Sequence, residues 1–152
     1  MIKDEVEYKP FKLFSGVYVA IEDKNSNFLL LRRSNTRWAS GLFSFVSGFI
    51  DGDESVIEAA IREIKEEIGI TVKTKDMIIF HIMHRKSGDA EFIDFFILAK
   101  NWFGEPRNIE LDKCSEIKWF PASRLPKDIV PHIKLALDRY NNGNFFSEDG
   151  FE

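Results

Sequence analysis

The spacing of apolar positions changes several times along this chain, and each change predicts an element. In "FSGVYVAIED" (14–23) Val17, Val19 and Ile21 alternate, the period-two pattern of a half-buried strand. "KNSN" (24–27) reads as a turn and "FLLLRR" (28–33) as a second strand, so the two are expected to form a hairpin. After a polar loop at 34–41, "LFSFVSGFI" (42–50) predicts a short strand running into a glycine turn. The period then lengthens: Val56, Ala60, Ile64 and Ile68 recur at helical spacing. Ser55 with Glu58 three residues later makes a capping box that starts this helix, and Gly69 can end it in a left-handed conformation. Two long apolar runs, 76–85 and 90–102, are separated by Ser87-Gly88-Asp89, which suggests an antiparallel pair. A strand at 115–120 and a helix at 128–143, with Pro131 near its first turn, complete the pattern. The order ββ, β, α, ββ, β, α predicts an α+β fold, a mixed sheet with a helix on each face.

The helix at 55–68 carries an unusual polar edge. Glu63, Glu66 and Glu67 lie three and four residues apart and are expected to converge there. Carboxylates at such spacing repel, by roughly 0.2–0.5 kcal/mol per pair. They also sit toward the C-terminal half, where the helix dipole disfavours negative charge. A solvated acidic face with Arg62 and Lys65 as partners is the plain explanation. A bound divalent cation would reverse both penalties, and hard oxygen ligands completed by substrate phosphates are what Mg²⁺ takes.

Composition narrows the picture a little. A chain of 152 residues suits one core, and a net charge of −4 gives no global basic surface for nucleic acid. Cys114 is the sole cysteine, so no intrachain disulfide can form. No run approaches the ~20 apolar residues of a membrane span, and the first ten residues lack the apolar segment of a signal peptide. The expectation is a cytoplasmic protein, monomer or homodimer, without membrane or nucleic-acid partners. Residues 1–13 read as an N-terminal extension, 14–140 as the domain and 141–152 as a C-terminal tail, whose Phe145, Phe146 and Phe151 suggest docking, on a partner subunit or elsewhere.

From Gly48 through Glu54 to Arg62-Glu63-Ile64-Lys65-Glu66-Glu67-Ile68-Gly69-Ile70, the chain matches G-x5-E-x7-R-E-U-x-E-E-x-G-U at every fixed position. Seven such residues coincide by chance at roughly 10⁻⁸ per starting position. The stretch resembles the box of the Nudix hydrolases, and "WFGEP" and "EIKWF" resemble segments of their nucleoside triphosphate pyrophosphohydrolase, MutT-like branch. The resemblance implies an α/β/α sandwich and a pyrophosphohydrolase of a small-molecule nucleotide, a nucleoside diphosphate linked to another moiety, using Mg²⁺ or Mn²⁺. A nucleoside triphosphate cleaved to monophosphate and pyrophosphate is the leading substrate. Dinucleoside polyphosphates, nucleotide sugars, ADP-ribose or a non-catalytic sensing role are the alternatives. It implies that Glu63, Glu66 and Glu67 hold metal, that the Gly48 carbonyl joins them, and that Glu110 adds a contact or acts as base. Arg62 would brace the box against Glu54, Gly69 would close its helix, and Arg33 would contact phosphate. Ser47 stands where the family commonly has glycine, so it is expected to adopt a glycine-like backbone.

Other residues carry less. His81, His84 and His132 lack metal-ligand spacing and read as structural or exposed, Cys114 as a buried small residue, and Trp119 as core. Trp38, in the loop before the box, is the candidate for substrate contact. Asp94 interrupts an apolar strand, and a cleft position is the minority reading for it. The base is expected in an aromatic-walled cleft made by the first strands, the 34–45 loop and the 121–132 segment, with Asp128 or His132 either reading its edge or lying on the surface of a helix start.

Overall fold

The computed structural model describes residues 9–152; the first eight residues of the expected N-terminal extension lie outside the described part. Five elements come first: β1 (Phe14–Glu22), β2 (Asn27–Arg33), β3 (Phe43–Ser44), β4 (Val46–Phe49) and α1 (Val56–Ile68). Then follow β5 (Met77–Ser87), β6 (Ala90–Ala99), β7 (Cys114–Pro121), α2 (Pro131–Asn141) and β8 (Phe146–Asp149). Among the described residues the strands form one mixed sheet, with β1–β6 and β5–β8 parallel and the other pairs antiparallel.

Alternation along β1 sorts the core into two layers. Val17, Val19 and Ile21 turn to one face and pack with Ala59, Ala60, Ile64 and Ile68 of α1. Tyr18 and Ala20 turn to the other and join Ile133, Ala136 and Leu137 of α2. This is the expected α/β/α sandwich.

α1 begins where its side chains satisfy its free backbone groups. Ser55 Oγ accepts from the Glu58 amide (3.2 Å), and Glu58 Oε2 accepts from the Ser55 amide (2.7 Å). Gly69 ends the helix at φ 74°, and its amide donates to the carbonyls of Ile64 and Lys65. No side chain caps α2; Pro131 at its start has no N–H to leave unpaired.

One expectation changes and one becomes specific. The β1–β2 hairpin pairs at only two positions, Ile21 with Leu29 and Glu22 with Phe28. Beyond them the strands part. β4 takes the freed edge of β1, while β3 and β7 pair with β2. The run 43–49 thus crosses from β2 to β1 and leaves a V-shaped gap that opens toward Arg33 and Phe14. The tail, for its part, docks on its own chain. β8 pairs in parallel with Ile82–Arg85 of β5, and buried His81 bonds the Asn144 carbonyl (2.9 Å) and the Ser147 hydroxyl (2.7 Å). Phe151 packs on the His84 ring at 4.5 Å.

Candidate active site

The gap between β1 and β2 is a cleft of about 750 Å³. Its acidic wall comes from α1. Arg62 is the organising residue: Nε and one Nη grip the two oxygens of Glu54 at 2.9 and 2.7 Å. The other Nη donates to Glu63 Oε1 (2.8 Å) and approaches Glu66 (3.5 Å). The same guanidinium donates to the Phe49 carbonyl at 3.0 Å, tying helix to β4. These Arg62 bonds, with one from the Asp51 amide, hold the Glu54 carboxyl down to about 2. Arg62 itself is pushed up, by the Glu54 bond first.

Gly48 owes its identity to close approach. A Cβ there would run into the Glu63 carboxylate, so only glycine lets strand and carboxylate meet. Gly48 and Ser47 both keep ordinary negative-φ backbone. The missing side chain at 48, not a left-handed turn at 47, makes the room. The Ser47 amide donates to Glu67 Oε2 at 3.1 Å. Burial pushes Glu67 well above the usual carboxylate range, and the charges of Glu63 and Glu110 add to this. Glu63 is also raised by burial, against the pull of Arg62.

Arg33, Trp38, Glu110 and Lys113 stand on the β2 side of the cleft. The Arg33 guanidinium lies 5.1 Å from the Trp38 ring centre, and its Nε donates to the Trp38 carbonyl. Trp38 stacks on His132 at 5.3 Å, and His132 Nε2 is 2.8 Å from the Tyr18 hydroxyl. Burial pushes His132 down to about 3, so it is neutral. The expectation of a surface or base-reading His132 is corrected: it is 5% exposed and packs behind Trp38 and Tyr18. Asp128 binds Arg32 at 3.0 Å, and neither residue lines the cleft. The 121–132 segment therefore supplies no wall.

The opposite wall comes from β1, β4, β5 and β6. Gly16, Phe49, Arg85 and Phe92 line it. Asp94 sits behind it, 1% exposed, with Oδ2 accepting from Arg85 Nε at 2.6 Å. Arg85, Phe92 and Gly16 were not singled out from the sequence; an arginine in an apolar run and a glycine inside a strand were the available signals. Cys114 is buried as expected and lines the cleft beside Lys113. Elsewhere, Trp119 packs against the α1-side core and stacks on Trp102. His84 faces Glu91 at 3.2 Å, outside the cleft.

Residues 12–140 match the NUDIX domain. The chain belongs to that family. It is 29% identical to an ADP-ribose pyrophosphatase of Methanocaldococcus jannaschii over 142 residues, 90% of this chain and 82% of that protein. To a putative 8-oxo-dGTP diphosphatase of Bacillus subtilis it is 27% identical over 128 residues, 84% of this chain and 80% of the relative. The crystal structure of a MutT Nudix hydrolase from Burkholderia pseudomallei superposes with a TM-score of 0.76 at 25% identity, covering 84% of this chain and 98% of that one. The chain is thus a Nudix hydrolase, an enzyme of nucleotide substrates. No helix among the described residues is long and apolar enough to cross a membrane.

Nudix hydrolases generally need a divalent metal, and the donors here fit one. Glu63, Glu66, Glu67 and Glu110 line one cleft beside the glycine notch at 48, an all-oxygen set suited to a hard cation. Among the described residues, however, no three acidic, histidine or cysteine side chains already form a coordinating group. Glu63, Glu66 and Glu67 all face this cleft from one edge of α1. Within it Glu63 is turned to Arg62 and Glu67 to the Ser47 amide, and each still feels the charge of a neighbouring carboxylate.

Proposed function

We propose that this Nudix hydrolase cleaves a phosphoric anhydride in a nucleoside diphosphate linked to a further group, with Mg²⁺ or Mn²⁺. The observation that carries the reading is the Gly48 notch pressed against Glu63, with Glu66, Glu67, Glu110 and Arg33 around one cleft. Glu63, Glu66 and Glu67 would hold the cation, with the Gly48 carbonyl and Glu110. When bound, it supplies charge neutralisation and Lewis acidity. Arg33 grips a phosphate, as a rigid fork of donors. Arg62 keeps Glu63 and the β4 backbone in register. One carboxylate, Glu110 or a member of the helix set, takes a proton from the attacking water. The water oxygen bonds to one phosphorus, and the bond from that phosphorus to the bridging oxygen breaks. The bridging oxygen leaves with the electron pair on the second phosphate, and one proton passes to solvent.

With phosphate as the further group, the products are a nucleoside monophosphate and pyrophosphate, the reading that the likeness to a protein named putative 8-oxo-dGTP diphosphatase favours. A larger group is favoured by a separate observation, the likeness to a protein named ADP-ribose pyrophosphatase across 90% of this chain. The test is incubation with Mg²⁺ and a panel of nucleoside triphosphates, ADP-ribose and dinucleoside polyphosphates, with products identified by chromatography. Cleavage of the anhydride supports the proposal. Tight binding of a panel member with no turnover under any divalent cation would instead make the chain a sensor.

A further inference from the structure

We propose that Arg85, held by Asp94, reads the edge of the nucleobase and selects a purine with a 6-keto group. This rests on the hydrolase reading and names the base for the same cleft.

Three features of the far wall work against stability, and all meet at one point. Gly16 lies inside β1, where glycine weakens a strand. Arg85 and Asp94 are a buried ion pair, which is often no more stabilising than an apolar pair of similar volume. Asp94 Oδ1 is buried with no hydrogen-bond partner. The glycine explains how the pair fits. Gly16 is opposite Asp94 in the β1–β6 register, and a Cβ at 16 would lie 2.8 Å from Asp94 Oδ1. These costs would be pointless in a core but serve a binding site. Gly16 and Arg85 line the cleft on either side of Asp94.

The surroundings identify the ligand. The Arg85 guanidinium lies 4.2 Å from the Phe92 ring centre. Phe14 and Phe49 flank Phe92 at 5.4 and 6.4 Å and remain 55% and 54% exposed. Exposed clustered rings beside a cleft suit a planar group that slides against them. Asp94 neutralises Arg85, so the pair offers directed donors without net positive charge. That favours a neutral ring with acceptor atoms over a phosphate, whose place is with Arg33 and the carboxylates. A guanidinium fork matches two adjacent acceptors, and the O6/N7 edge of a 6-keto purine presents them. Adenine presents an amino donor beside N7, which would meet the guanidinium donor to donor.

The experiment compares GTP with ATP and GDP-ribose with ADP-ribose under Mg²⁺, reading kcat/KM for each. In parallel, calorimetry measures GMP and AMP binding without turnover. The 6-keto member of each pair should be favoured roughly 5- to 150-fold, the scale of one bidentate base contact. Arg85→Lys keeps the charge beside Asp94 but loses the fork, and should bring the ratio close to one. Asp94→Asn tests the positioning role, and there too the ratio should fall, a change that simple loss of stability would not produce. Equal or reversed preference in the wild type, or a ratio unmoved in Arg85→Lys, overturns the proposal. If no anhydride is cleaved but GMP still outbinds AMP, the hydrolase reading fails and the base subsite stands.

Discussion

The box wall and the far wall of the cleft place charged groups within one cavity by opposite means. On the box wall a single local segment, 48–69, holds glycine notch, arginine brace and carboxylates, and its side chains bond mostly to one another. On the far wall the parts are remote in sequence: Gly16, Arg85 and Asp94 meet only because β1, β5 and β6 lie side by side. Local construction depends on a spacing of residues, whereas remote construction depends on strand register. The first should therefore fail residue by residue, and the second through the sheet that supports it.

The largest effect is expected on the box wall. Glu67→Gln should leave the fold intact and lower kcat roughly 10²- to 10⁴-fold, the scale of a lost catalytic carboxylate. Full turnover with Mg²⁺ in this variant, set beside an unchanged melting curve, would remove Glu67 from the machinery and dissolve the contrast between the walls.

The far wall should respond instead to a distant cut. β8 pairs with the stretch of β5 that ends in Arg85, matching it with Asp149. Ending the chain after Gly143 removes that strand and both partners of His81. Groups left unsatisfied in this way cost on the order of 3 kcal/mol, or about 6–12 °C in a domain of this size. Ser147→Ala removes one His81 bond and should lower Tm by only about a third as much. A truncated chain that melts with the wild type would show that the sheet supports Arg85 without the tail.

This contrast also explains what was legible in the sequence. The α1 capping box, Gly69 and the glutamate spacing are i-to-i+4 relations, visible in a string of letters, and their elements formed where expected. The parting of β1 and β2 was not visible, because β3 takes the freed edge of β2 and β4 that of β1, pairings made by a segment outside the hairpin. Asp94 looked like a break in an apolar strand until Gly16 and Arg85 arrived beside it. His132 carried no motif; its burial follows from the packing of α2 under Tyr18 and Trp38.

Arg33 stands between the two walls and should show a smaller effect of a different kind. Arg33→Lys keeps the charge but gives up the planar fork and its stack on Trp38. KM should rise about tenfold with kcat less affected, since the contact holds phosphate before and during reaction. Steady-state kinetics on whichever nucleotide the panel identifies will check this. An equal fall in kcat and kcat/KM would shift Arg33 from binding to stabilising the transition state.

The smallest effect concerns pH and tests whether His132 is part of the far wall's frame. In the folded chain burial holds its imidazole down to about 3, whereas an unfolded chain titrates near 6.5. Below that value the unfolded state binds a proton that the folded state refuses, so stability must fall as pH falls. The contribution is whole above about 6.5 and is lost progressively toward about 3. Arg85 and Arg33 reinforce it, because both repel an imidazolium in that position. Glu67, Glu63 and Asp94 act in the opposite sense: their folded carboxyls are raised, and they stabilise the fold as pH falls. Wild-type melting alone therefore mixes both signs, and the informative quantity is a difference. His132→Gln keeps a hydrogen-bonding partner for the Tyr18 hydroxyl and removes the titration. Between pH 7.5 and 5.5 the wild type should lose about 1 kcal/mol relative to this variant, roughly 2–4 °C in Tm. Parallel curves would mean that the imidazole takes up its proton in place, with the Tyr18 and Trp38 contacts yielding to accommodate it.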